Sequence, residues 1–254
     1  MVEFFMIKLT ELGGVRRAVI VERLNRFVVL VELDGEFVKV HNTNTGRLHD
    51  VLVKGFRAIV TSISGRKLKY RLVGVEHRDG LYGIVDTITQ EEAFRKALEL
   101  SLIPYLRGYV LAKRNPRVNG VVHDYLLKRG DEYAVIEIKS AEFRGKRDEA
   151  MYPDCPTIRG RRHIMNLIRL SKELNVKTYL IFLAAMPRPR CFMPFREADP
   201  VVDELVREAL RSGVEVRSVA MFMDQQGRIY LEDPDLPICS EWLKASNVQA
   251  ASSS

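Results

Sequence analysis

Residues 134–140 read Ala-Val-Ile-Glu-Ile-Lys-Ser, and this stretch decides the fold of the surrounding domain. Apolar and polar side chains alternate as in a β-strand, where every second side chain lies on one face, so Glu137 and Lys139 point together. Thirteen residues before Glu137, Asp124 stands in a second apolar run, 120–127. A glycine-containing turn between the two runs predicts a hairpin. We therefore expect two carboxylates and one ammonium to converge on this pair of strands.

This trio is suited to the hydrolysis of phosphodiester bonds. The carboxylate oxygens of Asp124 and Glu137 are hard ligands that hold Mg²⁺ or Mn²⁺, and such a cation lowers the pKa of an attacking water. Lys139 would orient or activate that water and stabilise the charge that grows on phosphorus. A solvated strand with alternating charges is the alternative, because such strands are common and the spacing alone does not distinguish the two.

A basic helix is predicted after the trio. Residues 157–174 carry polar side chains at steps of three and four, which indicates one charged face opposite apolar positions such as Ile158 and Met165. The members of this face are Arg159, Arg162, His163, Asn166 and Arg169. The face could follow a phosphate backbone, with His163 as a phosphate contact or a general acid or base. A solvated helix surface with a structural histidine is the alternative.

Helices and strands alternate around these motifs, and we assign residues 85–232 to one α/β domain. The pattern predicts helices at 91–102, 157–174 and 200–212, and strands at 120–127, 133–140, 177–184 and 215–223. The remaining residues, 233–254, end in Ala-Ala-Ser-Ser-Ser and are expected to form a loose C-terminal tail.

The preceding residues, 1–84, follow a different pattern. Short β-rich runs alternate with turn sequences, which indicates a small antiparallel sheet or barrel. An oligonucleotide-binding (OB) barrel is one candidate for a domain of this size. Its basic and aromatic binding face would consist of Arg23, Arg26, Phe27 and Tyr70. Core packing is the more common role for the two aromatic side chains.

The charge of the chain favours DNA as the partner, bound through its phosphate backbone. Among 254 residues, 40 basic side chains face 33 acidic ones, which gives a net charge of +7. Arginine outnumbers lysine by 27 to 13, and its planar guanidinium suits phosphate. Fourteen basic and eight acidic side chains lie within residues 107–169, so the excess surrounds the trio. A protein partner would leave this local excess unexplained.

Other features argue against membrane and disulfide-rich proteins. The longest apolar run, 179–186, is far shorter than the roughly 20 residues that span a bilayer. The N-terminus lacks the order of a signal peptide, so we expect a cytoplasmic protein without membrane contact. Cys155, Cys191 and Cys239 lie 36 and 48 residues apart without a C-x-x-C pair. We expect three reduced thiols, neither a zinc cage nor a disulfide framework.

Several segments between residues 23 and 231 together match one known family. They are Arg26-Phe27, 31–35, Asn44-Thr45-Gly46, 102–104, Asp124, 137–139, Pro153-Asp154, Arg159-Gly160, His163, 195–196 and 213–216. On these segments the chain resembles the sugar fermentation stimulation proteins. The resemblance implies an N-terminal OB-like barrel joined to a restriction-endonuclease-like domain of the PD-(D/E)xK kind, with DNA binding as the main activity.

The resemblance also implies roles for single residues. Asp124 and Glu137 match the family's metal carboxylates, and Lys139 matches its catalytic lysine. Arg159 and His163 match its Arg-Gly-x-x-His segment. These matches imply a DNA-binding protein with an Mg²⁺-dependent nuclease site.

One departure from the family concerns the first helix of the second domain. The position that is usually acidic in such sites is occupied by Lys96. Either Glu92 or Glu99 would then supply the additional carboxylate. If neither does, a non-enzymatic DNA-binding or regulatory protein on a degenerate nuclease scaffold is the alternative.

Overall fold

The structure is a computed structural model that describes residues 6–65, 67–174 and 176–244. Within these ranges the strands are β1 (Ile7–Glu11), β2 (Val15–Asn25), β3 (Val28–Leu33), β4 (Glu36–His41), β5 (Arg57–Ser62), β6 (Tyr70–Arg78), β7 (Leu81–Ile84), β8 (Val110–Arg114), β9 (Arg117–Val118), β10 (Val121–Val122), β11 (Tyr125–Arg129), β12 (Glu132–Ser140), β13 (Phe143–Arg144), β14 (Glu149–Tyr152), β15 (Lys177–Ala184), β16 (Cys191–Pro194), β17 (Glu215–Asp224) and β18 (Arg228–Asp233). The helices are α1 (Thr87–Glu99), α2 (Ile158–Leu174) and α3 (Pro200–Arg211).

Strands β2 to β6 form the barrel that the sequence predicts. They pair antiparallel in the order β4-β3-β2-β5-β6, and a parallel pairing of His41 with Arg71 joins β4 to β6. Alternate side chains such as Val29 and Val31 are buried inside it, as expected for strands with one face on a core. The hairpin between β3 and β4 turns at Asp34-Gly35, where φ is 53° and 83°. Positive φ at both positions is the conformation of a two-residue hairpin turn.

The second domain continues the sheet of the barrel. Strand β7 pairs with β6 on one side and with β17 on the other, and the sheet then runs β17-β15-β12-β11-β8. Strands β12, β15 and β17 are parallel. Helices α2 and α3 pack on one face around Leu167 and Phe182, and α1 packs on the other around Phe94 and Ile136. Helices on both faces of the sheet form the predicted α/β domain.

Strand β12 fixes the direction of the candidate site residues. Ala134 and Ile136 pack on the α1 face, whereas Val135 packs on the face covered by α2 and α3. Because side chains alternate along a strand, Glu137 and Lys139 lie on the α2 side. The predicted alternation is confirmed, and it aims both groups at the same helix.

The strand predicted at 120–127 is interrupted. It divides into β10 and β11, with His123 and Asp124 in the gap between them. Here the side chain of Asp124 accepts a hydrogen bond of 2.6 Å from the backbone N–H of Ile138. The N–H of Ile138 on β12 thus donates to a side chain instead of to a backbone carbonyl of the neighbouring strand. The pairing of β11 with β12 accordingly begins only at Tyr125.

The first helix begins earlier than the predicted 91–102. Its N-cap is Asp86, whose side chain accepts a hydrogen bond of 3.0 Å from the backbone N–H of Thr89. Such a cap satisfies one of the N–H groups that lack partners at a helix start. The helix therefore begins at Thr87 and ends at Glu99.

The expected loose tail is wrong for its first part. Leu236 and Trp242 are buried against α3 and the sheet, and residues 240–244 are helical. The apolar side chains of this segment supply the core contacts that hold it. Residues 245–254 lie outside the described part of the chain.

The expectation of three reduced thiols is also wrong. Cys191 and Cys239 form a disulfide, and Cys155 is a free thiol. The two bonded cysteines meet because the backbone of Phe192 donates to Pro237 (2.9 Å) and accepts from Cys239 (2.8 Å). This pairing brings together residues that are 48 positions apart, which no spacing rule anticipates.

Strand β1 belongs to the second domain by its contacts. It pairs antiparallel with β18 at the edge of the sheet, although residues 1–84 were expected to form the barrel. None of the described helices has the length and apolar composition to cross a membrane.

Replacing Trp242 tests whether the C-terminal segment is part of the core. The Trp242 ring donates to Asp203 and stacks under Arg207 at 4.2 Å. We expect Trp242→Ala to lower the free energy of unfolding by about 3–5 kcal/mol, measured by urea denaturation. The exposed neighbour Leu243 is the matched control, and Leu243→Ala should change the free energy of unfolding by less than about 1 kcal/mol. Equal values for the two variants would contradict the packing described.

Candidate active site

A buried carboxylate on β12 is the centre of the candidate site. Glu137 is only 1% exposed, and every contact of its carboxylate is with a nitrogen that can carry a proton. Oε2 lies 2.7 Å from Nδ1 of His123. Oε1 contacts Nζ of Lys139 and Nδ1 of His163. The carboxylate is therefore held from three sides.

These contacts decide the charge of Glu137. Burial by itself raises the pKa of a carboxyl group, but the positive charge of Lys139 and the hydrogen bonds from His123 and His163 outweigh it. The pKa of Glu137 lies well below its ordinary value, so the group is an anion at neutral pH.

Asp124 lies beside Glu137 in a different electrostatic state. Its Oδ2 accepts the 2.6 Å hydrogen bond from Ile138. Burial and then the negative charge of Glu137 raise the pKa of Asp124 to about 6, and Glu91 adds to the shift. The two carboxylates predicted to meet are therefore close enough to repel each other.

Lys139 carries the compensating charge. Burial lowers the pKa of a lysine, but here the negative charges of Glu137 and Asp124, together with the hydrogen bond to Glu137, reverse that shift and leave the pKa above its ordinary value. The side chain is therefore an ammonium at neutral pH. It suits charge stabilisation better than proton abstraction.

Glu91, and neither of the predicted Glu92 and Glu99, is the α1 carboxylate whose charge raises the pKa of Asp124. Oε1 of Glu91 accepts hydrogen bonds from Tyr125 (3.0 Å) and Arg114 (2.7 Å), and its charge reaches Asp124. Glu92 is exposed.

Glu99 lies eight residues further along α1 than Glu91, about 12 Å at 1.5 Å per residue. There it pairs with Arg95 and Lys96. Lys96, at the position that is usually acidic, lies 3.8 Å from Glu99 at this end of the helix.

The basic face predicted for α2 is divided between two sides of the helix. His163 and Asn166 are buried and face Glu137 and His123, whereas Ile158, expected on the apolar side, is 84% exposed. The helical pattern of polar residues predicted that His163 and Asn166 would be exposed. They are buried because they form hydrogen bonds with Glu137 and His123, which lie far away in the sequence. The exposed members of the predicted face are Arg159, Arg162 and Arg169.

On the barrel side, Arg23 and Arg26 have different roles. The guanidinium of Arg23 donates to the backbone carbonyls of Asn25, Arg26 and Arg47, and burial lowers its pKa. Arg23 therefore holds the loop in place. Arg26 is exposed, and the adjacent Phe27 is 52% exposed rather than in the core.

Tyr70, the second predicted aromatic, is half-buried. It packs against the barrel core, and its hydroxyl accepts from Arg16. The expectation of core packing therefore holds for Tyr70 and is wrong for Phe27.

A cleft of about 530 Å³ lies between the barrel and the second domain, next to the site. Arg26 and Arg159, two of the five residues predicted to bind DNA, line it, whereas Asp124, Glu137 and Lys139 do not. Its other lining residues include Asn44, Thr45, Ser140, Glu142, Tyr152, Asp154, Cys155 and Thr157.

The barrel loop that borders this cleft is bonded to the second domain. Asn44 donates to Oε2 of Glu142 (2.8 Å), and the backbone N–H of Leu48 donates to Asp154 (2.7 Å). Burial raises the pKa of Glu142 to about 8, against the hydrogen bonds from Ser140 and Gln90. A neutral carboxyl group therefore joins the domains at neutral pH.

Sequence reasoning missed three residues of the site, Glu91, His123 and Glu142, and it placed Asn166 on a basic face although its side chain is buried. His123 directly precedes Asp124, and this position next to a candidate ligand was the one available signal. For Glu142 no local pattern existed, because its hydrogen bonds are with Asn44 and Gln90, which lie far away in the chain.

Comparisons with known proteins agree with this architecture. Residues 21–84 match the family described as "SfsA N-terminal OB domain", and residues 88–227 match "Sugar fermentation stimulation protein RE domain". The sugar fermentation stimulation protein homolog of Pyrococcus furiosus is 38% identical over 222 residues, 87% of this chain and 95% of the homolog. That of Archaeoglobus fulgidus is 39% identical over 232 residues, 91% of this chain and 99% of the homolog.

A solved structure is similar over nearly the whole chain. SfsA of Pyrococcus furiosus, solved in complex with Ca²⁺, superimposes with a TM-score of 0.88 at 36% identity and covers 92% of this chain and 99% of its own. The predicted fold class is confirmed: an OB-fold barrel precedes a restriction-endonuclease-like α/β domain.

The raised pKa of Glu142 predicts how stability depends on pH. A carboxyl group whose pKa is about 8 in the folded chain and about 4.3 in the unfolded chain stabilises the fold fully below pH 4. This contribution is lost as the pH rises through 8. Glu142→Gln removes the titration, so the free energy of unfolding of the wild type should fall relative to the variant by on the order of 3 kcal/mol between pH 5 and pH 9. A difference that stays constant over this range in urea denaturation would refute the assignment.

Proposed function

The chain belongs to the sugar fermentation stimulation protein family, and from this premise we propose that it binds DNA through the phosphate backbone and hydrolyses phosphodiester bonds with Mg²⁺ or Mn²⁺. The observation that carries the proposal is the convergence of Asp124, Glu137 and Lys139. They meet beside a helix whose exposed side includes Arg159 and Arg162.

The acidic side of the trio fits a hard divalent cation. The charges of Glu137 and Glu91 raise the pKa of Asp124, and a cation among their oxygens would relieve this repulsion. The relative from Pyrococcus furiosus was solved with Ca²⁺, which takes the same kind of ligands. When bound, Mg²⁺ or Mn²⁺ would lower the pKa of the attacking water and stabilise charge on the phosphate.

The residues of this chain supply the other parts of the reaction. The Lys139 ammonium stabilises the negative charge that develops on the phosphate oxygens, since it remains protonated at neutral pH. His123 and His163 keep Glu137 ionised and fixed in direction. Asp124 is held by the backbone of Ile138, so the acidic groups are positioned before the substrate arrives.

Arginines on both domains would hold the DNA backbone. Arg26 of the barrel and Arg159 of α2 line the cleft beside the site. Arg162 is exposed one turn further along the helix. Guanidinium groups bind phosphate through paired N–H donors, which positions the backbone without reading its sequence.

A second candidate function is DNA binding without catalysis. The observation that favours it is the saturation of Glu137, whose two oxygens already contact Lys139, His123 and His163. A cation would have to displace one of these donors. This candidate requires salt-dependent DNA affinity and no cleavage.

Substitution of the trio tests the catalytic proposal. Single- and double-stranded DNA are incubated with the protein and Mg²⁺ or Mn²⁺, and products are resolved by gel electrophoresis. Glu137→Gln and Lys139→Met should each lower the cleavage rate by at least about 100-fold, because each removes a charge from the transition-state environment. Glu132→Gln, at the exposed start of the same strand, is the matched control and should cleave as the wild type does.

The outcomes separate the two candidates. Binding without cleavage by the wild type supports the non-enzymatic function. Equal cleavage by the wild type and both trio variants would show that the cleavage activity does not depend on this site.

Substitution of the cleft arginines tests the binding surface. Arg26→Ala, Arg159→Ala and Arg162→Ala should each weaken DNA binding and reduce the slope of log affinity against log salt by about 1, because one phosphate contact is lost. Arg95→Ala, on the opposite face of the sheet, is the control. Unchanged slopes in the three cleft variants, measured by fluorescence anisotropy at several salt concentrations, would exclude this surface.

A further inference from the structure

Two histidines and a carboxylate form a buried cluster that the proposed reaction does not fully use. The ligand atoms of His123, Glu137 and His163 all lie within 4.8 Å of one another. Their side chains are 0%, 2% and 9% exposed. Two imidazoles and one carboxylate around one point are a ligand set known from catalytic zinc sites.

Both ring nitrogens of His123 lie within hydrogen-bond distance of an oxygen acceptor. Nε2 lies 2.7 Å from Oδ1 of Asn166, and Nδ1 lies 2.7 Å from Oε2 of Glu137. Both partners are acceptors, whereas a neutral imidazole has a single N–H. With the N–H on Nε2, donating to Asn166, the lone pair of Nδ1 is free to coordinate a cation on the side of Glu137. Nδ1 of His123 and Oε2 of Glu137 could then hold the same cation.

Asn166 also has the position of an outer residue of a metal site. A histidine that ligates a metal donates its other ring N–H to a nearby acceptor, which fixes the tautomer and the ring direction. The 2.7 Å contact between Nε2 of His123 and Oδ1 of Asn166 has this arrangement.

His163 would complete the set through Nδ1, which already contacts Glu137. Its Nε2 lies 3.4 Å from Nε of Arg159, a long contact that an exposed side chain can give up. Coordination through Nδ1 moves the ring hydrogen to Nε2 and releases Arg159. The rings of the two histidines lie 5.7 Å apart at 68°, so both can approach one point without stacking.

We propose that His123, Glu137 and His163 bind a borderline transition-metal cation, represented by Zn²⁺, at a site that Asp124 does not form. Nitrogen ligands favour Zn²⁺ or Co²⁺, whereas Mg²⁺ and Ca²⁺ require oxygen ligands. The cation replaces the Lys139 ammonium as the main positive partner of Glu137. The site shares Glu137 with the proposed nuclease site, but binding of the cation requires no DNA and no hydrolysis.

The test uses Co²⁺ as a spectroscopic substitute for Zn²⁺. The full chain is stripped with EDTA, and Co²⁺ is titrated while the visible ligand-field absorption is recorded. We expect one equivalent to bind, Zn²⁺ to displace it, and a tenfold excess of Mg²⁺ to leave it in place. His123→Asn and His163→Asn should each weaken Co²⁺ binding at least 100-fold. Asn166→Ala should weaken it 10- to 100-fold through the lost ring orientation.

Two controls locate the cation. Asp124→Asn should bind Co²⁺ as the wild type does, because Asp124 belongs to the oxygen site alone. Cys155→Ser should also bind normally, which excludes the free thiol as the ligand.

A measurement on the wild type does not depend on whether the variants fold. The proton NMR spectrum of the Co²⁺ form should contain two exchangeable, hyperfine-shifted resonances, one from the Nε2–H of each ligating histidine. Absence of Co²⁺ uptake overturns the proposal, as does binding that Asp124→Asn abolishes and the histidine variants retain. DNA cleavage is measured in a separate experiment. A failure to bind Co²⁺ therefore does not affect the test of the nuclease function, and a failure to cleave DNA does not affect the test of this site.

Discussion

The burial of the Glu137 carboxylate is the constraint on which the second domain depends. A charge removed from water costs several kcal/mol unless it is paired and hydrogen-bonded. The carboxylate is compensated by Lys139 on its own strand, by His123 in the break after β10 and by His163 on α2. One anion therefore ties β12 to the segment that follows β10 and to helix α2. Fold and site follow from the same requirement.

The barrel is joined to this domain by buried polar groups as well as by the sheet. Asp86 has no exposed surface. It accepts a hydrogen bond of 2.6 Å from Thr43 of the barrel loop, caps α1, and pairs with Arg71 at 3.1 Å. Because a buried charge without partners is costly, the loop cannot leave α1 freely. The contact of Asn44 with Glu142 adds a second link. The arginines of the two domains thus border one cleft instead of two separate surfaces.

The fold could be predicted from the sequence wherever the pattern within a single strand, helix or turn was enough to show which side chains are buried. The alternation in residues 134–140 placed Glu137 and Lys139 correctly, and Asp34-Gly35 marked a real hairpin. The burial of polar residues on helix α2 could not be predicted in this way. His163 and Asn166 are polar yet buried, because their partners come from strands that a helical pattern does not include.

The prediction of the additional carboxylate missed Glu91 for a similar reason. Adjacent positions on a helix differ by about 100° in direction, so the choice between Glu91 and Glu92 depends on where α1 lies against the sheet. The predicted helix began at residue 91, whereas the observed cap at Asp86 adds a full turn before it. The disulfide of Cys191 and Cys239 likewise depends on a backbone pairing that their spacing does not encode. In each case the missing information was a long-range contact.

The three partners of Glu137 are not equally able to give way to a cation. His123 is held at its far nitrogen by Asn166 (2.7 Å), and its ring has no exposed surface. Lys139 has a long flexible side chain with 11% of its surface exposed. Lys139 is therefore the donor that a cation displaces at least cost.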